Sequence, residues 1–231
     1  RTHCDFFQLC FESLKLYRQW QHEVKQQSGI EFEYSESGSL HTVFHEADRL
    51  AMETTLDWQR ELGADAQIVE SRELRKLEPQ LTAEAAAAIY YPKEHHLYAP
   101  DYVKALEAGC RKLDVEIFEH TRVTDVILQE SRVTVETEHG KRYSGDHLVV
   151  CSGAWAKEWE AVFGLDIPVY PIRGQICAYR LPPGIVNRIV FTSQGYFVQK
   201  ADGSLVCGAS EDVAGFDTSV TAEGITRLEN W

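Results

Sequence analysis

The tripeptide Cys151-Ser152-Gly153 lies between an apolar run, residues 147–150, and a helix-like segment that begins near Trp155. Four apolar or nearly apolar residues in a row predict a strand that is covered on both faces. A glycine turn at the start of a helix presents backbone N–H groups that can bind a phosphate or a dinucleotide. Plain strand-to-helix corners of α/β proteins have the same pattern, so the tripeptide alone leaves both interpretations open.

Two histidine pairs could suggest a metal site, but neither has zinc spacing. His41 and His45 are four residues apart across the end of a predicted strand, and His95 and His96 are adjacent. The six cysteines are scattered and contain no Cys-x-x-Cys pair. We therefore expect no metal and, for the cysteines, reduced thiols in a cytoplasmic protein. Ser152 also lacks the Gly-x-Ser-x-Gly context of a hydrolase nucleophile.

The charge of the chain narrows the class of partner. With 36 acidic and 23 basic residues, the 231-residue chain has a net charge of −13. This charge argues against nucleic acid and against an anionic membrane surface, so we expect a small-molecule partner. Homo-oligomerisation is left open. The chain starts at Arg1 with neither Met nor an apolar leader, from which we expect an internal piece of a longer protein.

Residues 1–113 predict helices that alternate with short strands. The predicted helices cover residues 5–27, 46–62, a short segment that Ser71 caps, and 100–113, and the predicted strands cover residues 30–34, 39–44, 67–69 and 85–91. The turn at residues 35–38 predicts that the first two strands form a hairpin. On the last helix, Val103, Leu106 and Cys110 are expected to face inward.

The middle of the chain predicts an unusual connection between two strands. A strand at residues 115–118 is followed by an antiparallel meander, with strands at 122–128, 133–137 and 141–144. The meander leads into the apolar run at 147–150. A meander that connects two parallel strands is less common than a helix in that role, so it narrows the architecture more than the glycine turn does.

The remainder of the chain predicts a mixed or antiparallel sheet. A long strand starts near Arg173 and ends at Arg180, and further strands cover residues 185–192, 195–200 and 204–209. The Asp202-Gly203 pair predicts a tight hairpin before the last strand. A helix is predicted from Thr221 onward. The fold class is therefore α/β, in which residues 1–30 and 98–165 alternate with an α+β part at residues 31–97 and 166–231.

Four stretches, in this order, resemble the D-amino-acid-oxidase-like family of FAD-dependent oxidoreductases and, within it, the glycine oxidase branch of thiamine biosynthesis. They are residues 115–126, 146–155, 170–175 and the pair 195–198 with 205–209. The resemblance implies a Rossmann-like FAD-binding domain with an inserted β-meander (residues 1–30 and 98–165). It also implies an interleaved substrate-binding domain (residues 31–97 and 166–231). No Gly-x-Gly-x-x-Gly is present, and the family's C-terminal segment with its carboxylate-binding arginine is not found.

The resemblance implies oxidation of the amine carbon of a small amino acid such as glycine, sarcosine or a D-amino acid. A hydride would pass to the flavin, the imine would hydrolyse, and peroxide would be released. One alternative is a flavin dehydrogenase of D-amino acids, sarcosine or glycerol 3-phosphate that uses an acceptor other than oxygen. Another is a non-catalytic fragment that binds no flavin.

The resemblance also implies roles for individual residues. The positions that match FAD contacts are Val123 (through its backbone), Cys151, Ser152, Gly153 and Trp155. The positions that match the substrate side are Tyr196, Gln194 and Arg173. Gln194 stands where a His is expected in the glycine oxidase branch, which leaves the substrate undefined. From the residues alone, Tyr196 could equally be a packing aromatic and Arg173 a salt-bridge partner at a strand end.

Overall fold

The computed structural model describes residues 2–230, which form two compact units. The first contains the described parts of Arg1–Val115, Gly174–Ser210 and Val220–Trp231, and the second contains Glu116–Arg173 and Glu211–Ser219. These units follow packing within the chain, and the assignment of residue ranges to FAD and substrate stays a prediction.

The elements alternate along the chain much as the sequence patterns predict. The helices are α1 (Thr2–Ser28), α2 (Glu46–Glu61), α3 (Ser71–Leu77), α4 (Ala99–Lys112), α5 (Glu160–Phe163) and α6 (Ala222–Glu229). The strands are β1 (Tyr34–Ser35), β2 (Ser39–Val43), β3 (Gln67–Glu70), β4 (Ala87–Tyr91), β5 (His96–Leu97), β6 (Val123–Gln129), β7 (Arg132–Thr137), β8 (Arg142–Gly145), β9 (Arg173–Arg180), β10 (Ile189–Phe191), β11 (Tyr196–Gln199) and β12 (Ser204–Asp212). The α/β fold class with an inserted meander is confirmed.

A seven-stranded mixed sheet, in the order β3-β4-β2-β10-β11-β12-β9, forms the centre of the first unit. β2 pairs antiparallel with β4 and parallel with β10, where Leu40 lies opposite Val190. Both edges of β2 are therefore occupied, and the predicted hairpin between residues 30–34 and 39–44 is wrong. Tyr34 and Ser35 pair instead with β5, in a separate two-stranded sheet.

Both faces of this sheet are covered near β2 and β4. On one face, Leu40 and Ala88 pack with Leu74 of α3. On the other face, Ile89 packs with Met52 and Leu56 of α2. Since strand side chains alternate between faces, one strand can supply both cores. Ser71 is not the predicted cap of α3, because Glu70 holds that position and Ser71 is already helical.

α1 and α4 pack side by side through small and apolar residues. Val24 of α1, Phe32 and Ala105 of α4 form one buried cluster. Val103 is 60% exposed, contrary to the prediction, because the small residues Ala105 and Gly109 form the buried face of α4 instead. Gly29 ends α1 in a left-handed conformation (φ +72°), as predicted. No helix within residues 2–230 is long and apolar enough to cross a bilayer.

The second unit is built on the predicted meander, in which β6, β7 and β8 form a three-stranded antiparallel sheet. Two predicted strands that flank it, at residues 115–118 and 147–150, are wrong. Neither segment has a ladder partner among residues 2–230, and a strand is defined by such pairing. The run at 147–150 is also not buried, since Val149 is 80% exposed.

Candidate functional site

A β-bulge in β6 creates the floor of a groove in the second unit. In a regular strand, residues 123 and 126 would point to opposite faces. The register shifts between Val123 and Asp125, which adds one residue to β6 and allows Val123 and Val126 to line the same groove. Val126 lies directly opposite Val135 of β7, which lines the groove as well. Three β-branched side chains thus form an apolar floor.

The extended segment that follows β8 and the helical segment after it form the walls of this groove. Leu148 to Ser152 lie along one side, and a 3-10 helix, Gly153–Trp159, contributes Trp155 and Trp159. The volume of this open groove is about 580 Å³. The groove is therefore large enough for one flat ring system with a small polar attachment.

Ser152 supplies a hydroxyl that has no hydrogen-bond partner in the groove. Its Oγ is buried, and no described protein atom pairs with it. Its carbonyl oxygen, by contrast, accepts a hydrogen bond from the Trp155 N–H at 3.0 Å. Gly153 adopts a left-handed conformation (φ +54°), which an L side chain seldom adopts. The turn therefore leaves an unsatisfied polar atom in a residue that lines a largely apolar groove, and such atoms call for a partner.

Trp155 is held by an aromatic contact that the sequence did not indicate. Its ring stacks on Phe216, with centroids 5.2 Å apart and an interplanar angle of 25°. Phe216 belongs to the segment Glu211–Ser219, which packs in the second unit although it follows β12. Offset stacking of this kind fixes the plane of the indole ring and so fixes one wall of the groove.

The groove is lined by one positively and one negatively charged side chain, which lie near each other. Arg122 and Glu158 both line it, and the guanidinium Nη2 lies 3.9 Å from a carboxylate oxygen of Glu158. Both side chains are exposed to solvent. A phosphate would have to compete with Glu158 for this cation, whereas the floor of valines favours an apolar ring.

Arg173 is occupied by carboxylates within the second unit. Its Nη1 donates to Asp217 at 2.7 Å, and its Nη2 lies 3.8 Å from Asp212. The N–H of Ser219 and then the Ser219 hydroxyl hold the pKa of Asp217 below its ordinary value, with Arg173 adding to the effect. Arg173 therefore has the geometry of a salt-bridge partner, and its role toward substrate stays a prediction.

Tyr196 lies in a row of rings that crosses the sheet of the first unit. The register places His41 of β2 beside Phe191 of β10, and Phe191 beside Tyr196 of β11. The His41 ring stacks on Phe191 at 4.4 Å, and the rings of Phe191 and Tyr196 are 5.9 Å apart. Burial lowers the pKa of His41 to about 4, so the row is uncharged at neutral pH.

The next position in this row is Gly208 of β12, opposite Tyr196. The phenol of Tyr196 lies over it, in space that any side chain at 208 would occupy. Gln194, by contrast, is exposed in the turn between β10 and β11, where its backbone N–H donates to the Thr192 hydroxyl. Its role toward substrate stays a prediction.

The structure brings together most residues assigned to the cofactor. Val123, Cys151, Ser152 and Trp155 all line the same groove, and Gly153 forms the turn between them. Sequence reasoning missed Val126, Val135, Trp159 and Phe216. The bulge and the return of residues 211–219 are tertiary features without a local sequence signal.

Comparison with known sequences shows which protein family this chain resembles. The profile of the family described as FAD dependent oxidoreductase matches residues 1–231. A glycine oxidase from Geobacillus kaustophilus is 33% identical over 210 residues, which cover 89% of this chain and 55% of that protein. The hydrogen cyanide synthase subunit HcnC of Pseudomonas protegens is 28% identical over 225 residues, or 96% of this chain and 54% of that subunit.

Solved structures agree with the sequence matches. The crystal structure of glycine oxidase from Geobacillus kaustophilus superposes with a TM-score of 0.90 at 27% identity, over 96% of this chain and 60% of that one. The chain thus spans little more than half the length of the relatives it matches. Because the family profile covers the full sequence, the chain belongs to the FAD dependent oxidoreductase family.

Proposed function

We propose that the protein of which this chain is part is an FAD-dependent oxidase of a small amino acid, and that the groove of the second unit binds the adenosine end of FAD. The observation that carries the proposal is the unpartnered Ser152 hydroxyl at a groove that is also lined by Val123, Cys151 and Trp155, the positions that resemble the family's cofactor contacts. When bound, FAD supplies the acceptor for the hydride that leaves the carbon bearing the amine.

The groove residues divide the task of holding an adenosine. Val123, Val126 and Val135 offer a flat apolar floor for the ring, and Trp155 offers an aromatic wall fixed by Phe216. The Ser152 hydroxyl can donate one hydrogen bond and accept others, which suits a ribose hydroxyl or a ring nitrogen. Burying this hydroxyl against a polar ligand atom removes the cost of leaving it unsatisfied.

Residues of the first unit would serve the substrate. Tyr196 carries a phenol at the edge of an uncharged aromatic row, and the bare backbone at Gly208 leaves room for that phenol. We expect the row to exclude water from one side of the substrate while the phenol provides a single polar contact. Uncharged walls favour a small substrate whose side chain carries no charge, such as glycine, sarcosine or D-alanine.

The first experiment asks whether the full-length gene product carries flavin. We expect the purified protein to be yellow, with absorbance in the flavin bands, and to release peroxide with glycine, sarcosine or D-alanine. A colourless full-length protein that takes up no added FAD would refute the proposal. Flavin without peroxide, but with reduction of an artificial dye acceptor, would instead support the dehydrogenase alternative.

The second experiment tests the groove itself. In the full-length protein, Ser152→Ala should retain less FAD after dialysis than the parent, with a roughly tenfold weaker Kd, as expected for one lost hydrogen bond. Ser131→Ala, in the exposed turn between β6 and β7, is the matched control and should not change FAD retention. Equal FAD retention in both variants would remove Ser152 from the cofactor site.

A further inference from the structure

Two cysteines lie on neighbouring strands of the large sheet, Cys177 on β9 and Cys207 on β12. The contacts around two glycines give their register. A β-carbon built at Gly208 would meet Ile176 Cγ2, and one built at Gly174 would meet the carbonyl oxygen of Ser210. Residue numbers therefore increase along β9 as the numbers of the facing residues on β12 decrease. From these contacts we infer that the strands are antiparallel and that Cys177 is opposite Cys207.

Directly opposite residues of an antiparallel pair share one face of the sheet, with β-carbons about 4.5–5.5 Å apart. A disulfide needs a β-carbon separation of roughly 3.5–4.5 Å, so a shift on the order of 1 Å brings the two sulfurs into bonding range. Burial, and then the nearby Cys177, raises the pKa of the Cys207 thiol, in agreement with this register. Both are free thiols in the structure.

The two thiols differ in their access to solvent. Cys207 is 2% exposed, and burial raises its pKa to about 11, so it stays protonated and resists oxidants. Cys177 is half-buried and is the one that a small oxidant can reach. Because of this difference, Cys177 is the cysteine that the oxidant meets first, and Cys207 is the resolving cysteine that reacts with it afterwards.

We propose that Cys177 and Cys207 form a reversible disulfide when the folded protein meets hydrogen peroxide. The Cys177 sulfur attacks one peroxide oxygen, the O–O bond breaks, and Cys177 becomes a sulfenic acid with release of water. The Cys207 sulfur then attacks the sulfenic sulfur, and its proton leaves with the departing hydroxide as a second water. Two thiols are oxidised by two electrons, and one peroxide is reduced to two waters.

This inference stands apart from the proposed oxidase activity, because the peroxide is added from outside. If the oxidase activity holds as well, the protein would generate the same oxidant itself. The product of catalysis would then tie β9 to β12 beside Gly208, the position over which Tyr196 lies. Thiol oxidation is measured without amino-acid substrate. A failure of the disulfide proposal can therefore be distinguished from a failure of the proposed oxidase activity.

The test is peptide mapping of the folded full-length protein after peroxide treatment, alkylation of free thiols and trypsin digestion. Cleavage after Arg173, Arg180, Lys200 and Arg227 yields peptides 174–180 and 201–227, each with a single cysteine. We expect these two peptides linked to each other and separated by reductant. The linked pair should exceed any other cysteine pair roughly tenfold, because a disulfide forms only between adjacent sulfurs.

Variants and an unfolded control make the result decisive. Cys177→Ser and Cys207→Ser should each abolish the linked pair, whereas Cys10→Ser, at an exposed position, should leave it unchanged. Protein oxidised in denaturant should give mixed pairs, which shows that the selectivity comes from the fold. Recovery of peptides 174–180 and 201–227 unlinked after oxidation of the folded protein, by peroxide and by diamide alike, would overturn the proposal.

Discussion

The hydroxyl oxygen of Tyr196 would lie 2.9 Å from a β-carbon at Gly208, and the Cγ2 of Ile176 would lie 2.7 Å from the same atom. Real β-carbons do not tolerate such contacts, so the phenol and Gly208 occupy space that only a residue without a side chain can share. Glycine at 208 is therefore required by the neighbouring side chains.

Gly208→Ala should consequently destabilise the protein by about 1–3 kcal/mol, the usual cost of forcing an extra methyl into a filled site. Urea unfolding measures the change. Gly174→Ala is a matched control on β9, where the nearest atoms are at ordinary contact distance. Combining Gly208→Ala with Tyr196→Ala should cost less than the sum of the two single changes, since the phenol is one of the two obstacles and Ile176 is the other. Strict additivity would argue against this contact.

Ser152→Ala should lower the free energy of unfolding by no more than about 0.5 kcal/mol, because its buried hydroxyl has no partner to lose. Ser28→Ala provides the contrast. The Ser28 hydroxyl is buried and accepts a hydrogen bond from the Ile30 N–H at 3.0 Å, so its removal should cost roughly 0.5–1.5 kcal/mol. Paired denaturation curves of the flavin-free protein test both values, and a large loss for Ser152→Ala would reveal a partner in the fold.

His41 should make stability depend on pH. Burial lowers its pKa from 6.5 to about 4, so the unfolded chain takes up a proton between these values while the folded protein does not. Stability is therefore present above pH 6.5 and falls as the pH drops toward 4, by up to roughly 3 kcal/mol. His41→Leu should flatten this slope in Tm measurements, and exposed His139→Gln should not. His96, with a pKa also lowered to about 4, keeps part of the slope.

Asp217 should contribute stability that acid removes. Its folded pKa is depressed, first by the Ser219 N–H, so the contribution is present above the ordinary value of 3.8 and is lost as pH falls through the folded value. Asp217→Asn should lower Tm at pH 7, and the difference from the parent should close as the pH falls below 3.8 and through the folded value. A difference that stays constant with pH would show that the carboxylate charge is not what stabilises this segment.

The sequence predicted those features that depend on neighbours along the chain. The meander is readable because alternating residues and turns such as Glu138-His139-Gly140 lie within one short stretch. The strands at 115–118 and 147–150 were predicted from composition, but a strand also needs a partner, and none lies beside them in residues 2–230. The parallel pairing of β2 with β10 joins segments about 150 residues apart, which no local pattern encodes.

The candidate groove also contains both residues that the local sequence predicts and residues that only the tertiary structure brings in. Ser152, Gly153 and Trp155 could be predicted because they lie within one recognisable stretch, residues 146–155. Val126 joined them only through a bulge whose extra residue has no distinctive composition. Phe216 was invisible because residues 211–219 return to the second unit after β12, and only the three-dimensional path places that ring on Trp155.

The parallel contact between β2 and β10 also determines the order in which this chain can fold during synthesis. β2, β3 and β4, together with α2 and α3, have their own apolar clusters and can form a nascent layer soon after residue 91 leaves the ribosome. β10 joins the same layer only about 100 residues later, after the meander has emerged. Until then the open edge of β2 is exposed, and the long loop that must close makes this the slow step. Until β10 arrives, the unpaired backbone of Leu40 and His41 is therefore an edge that can pair with another strand.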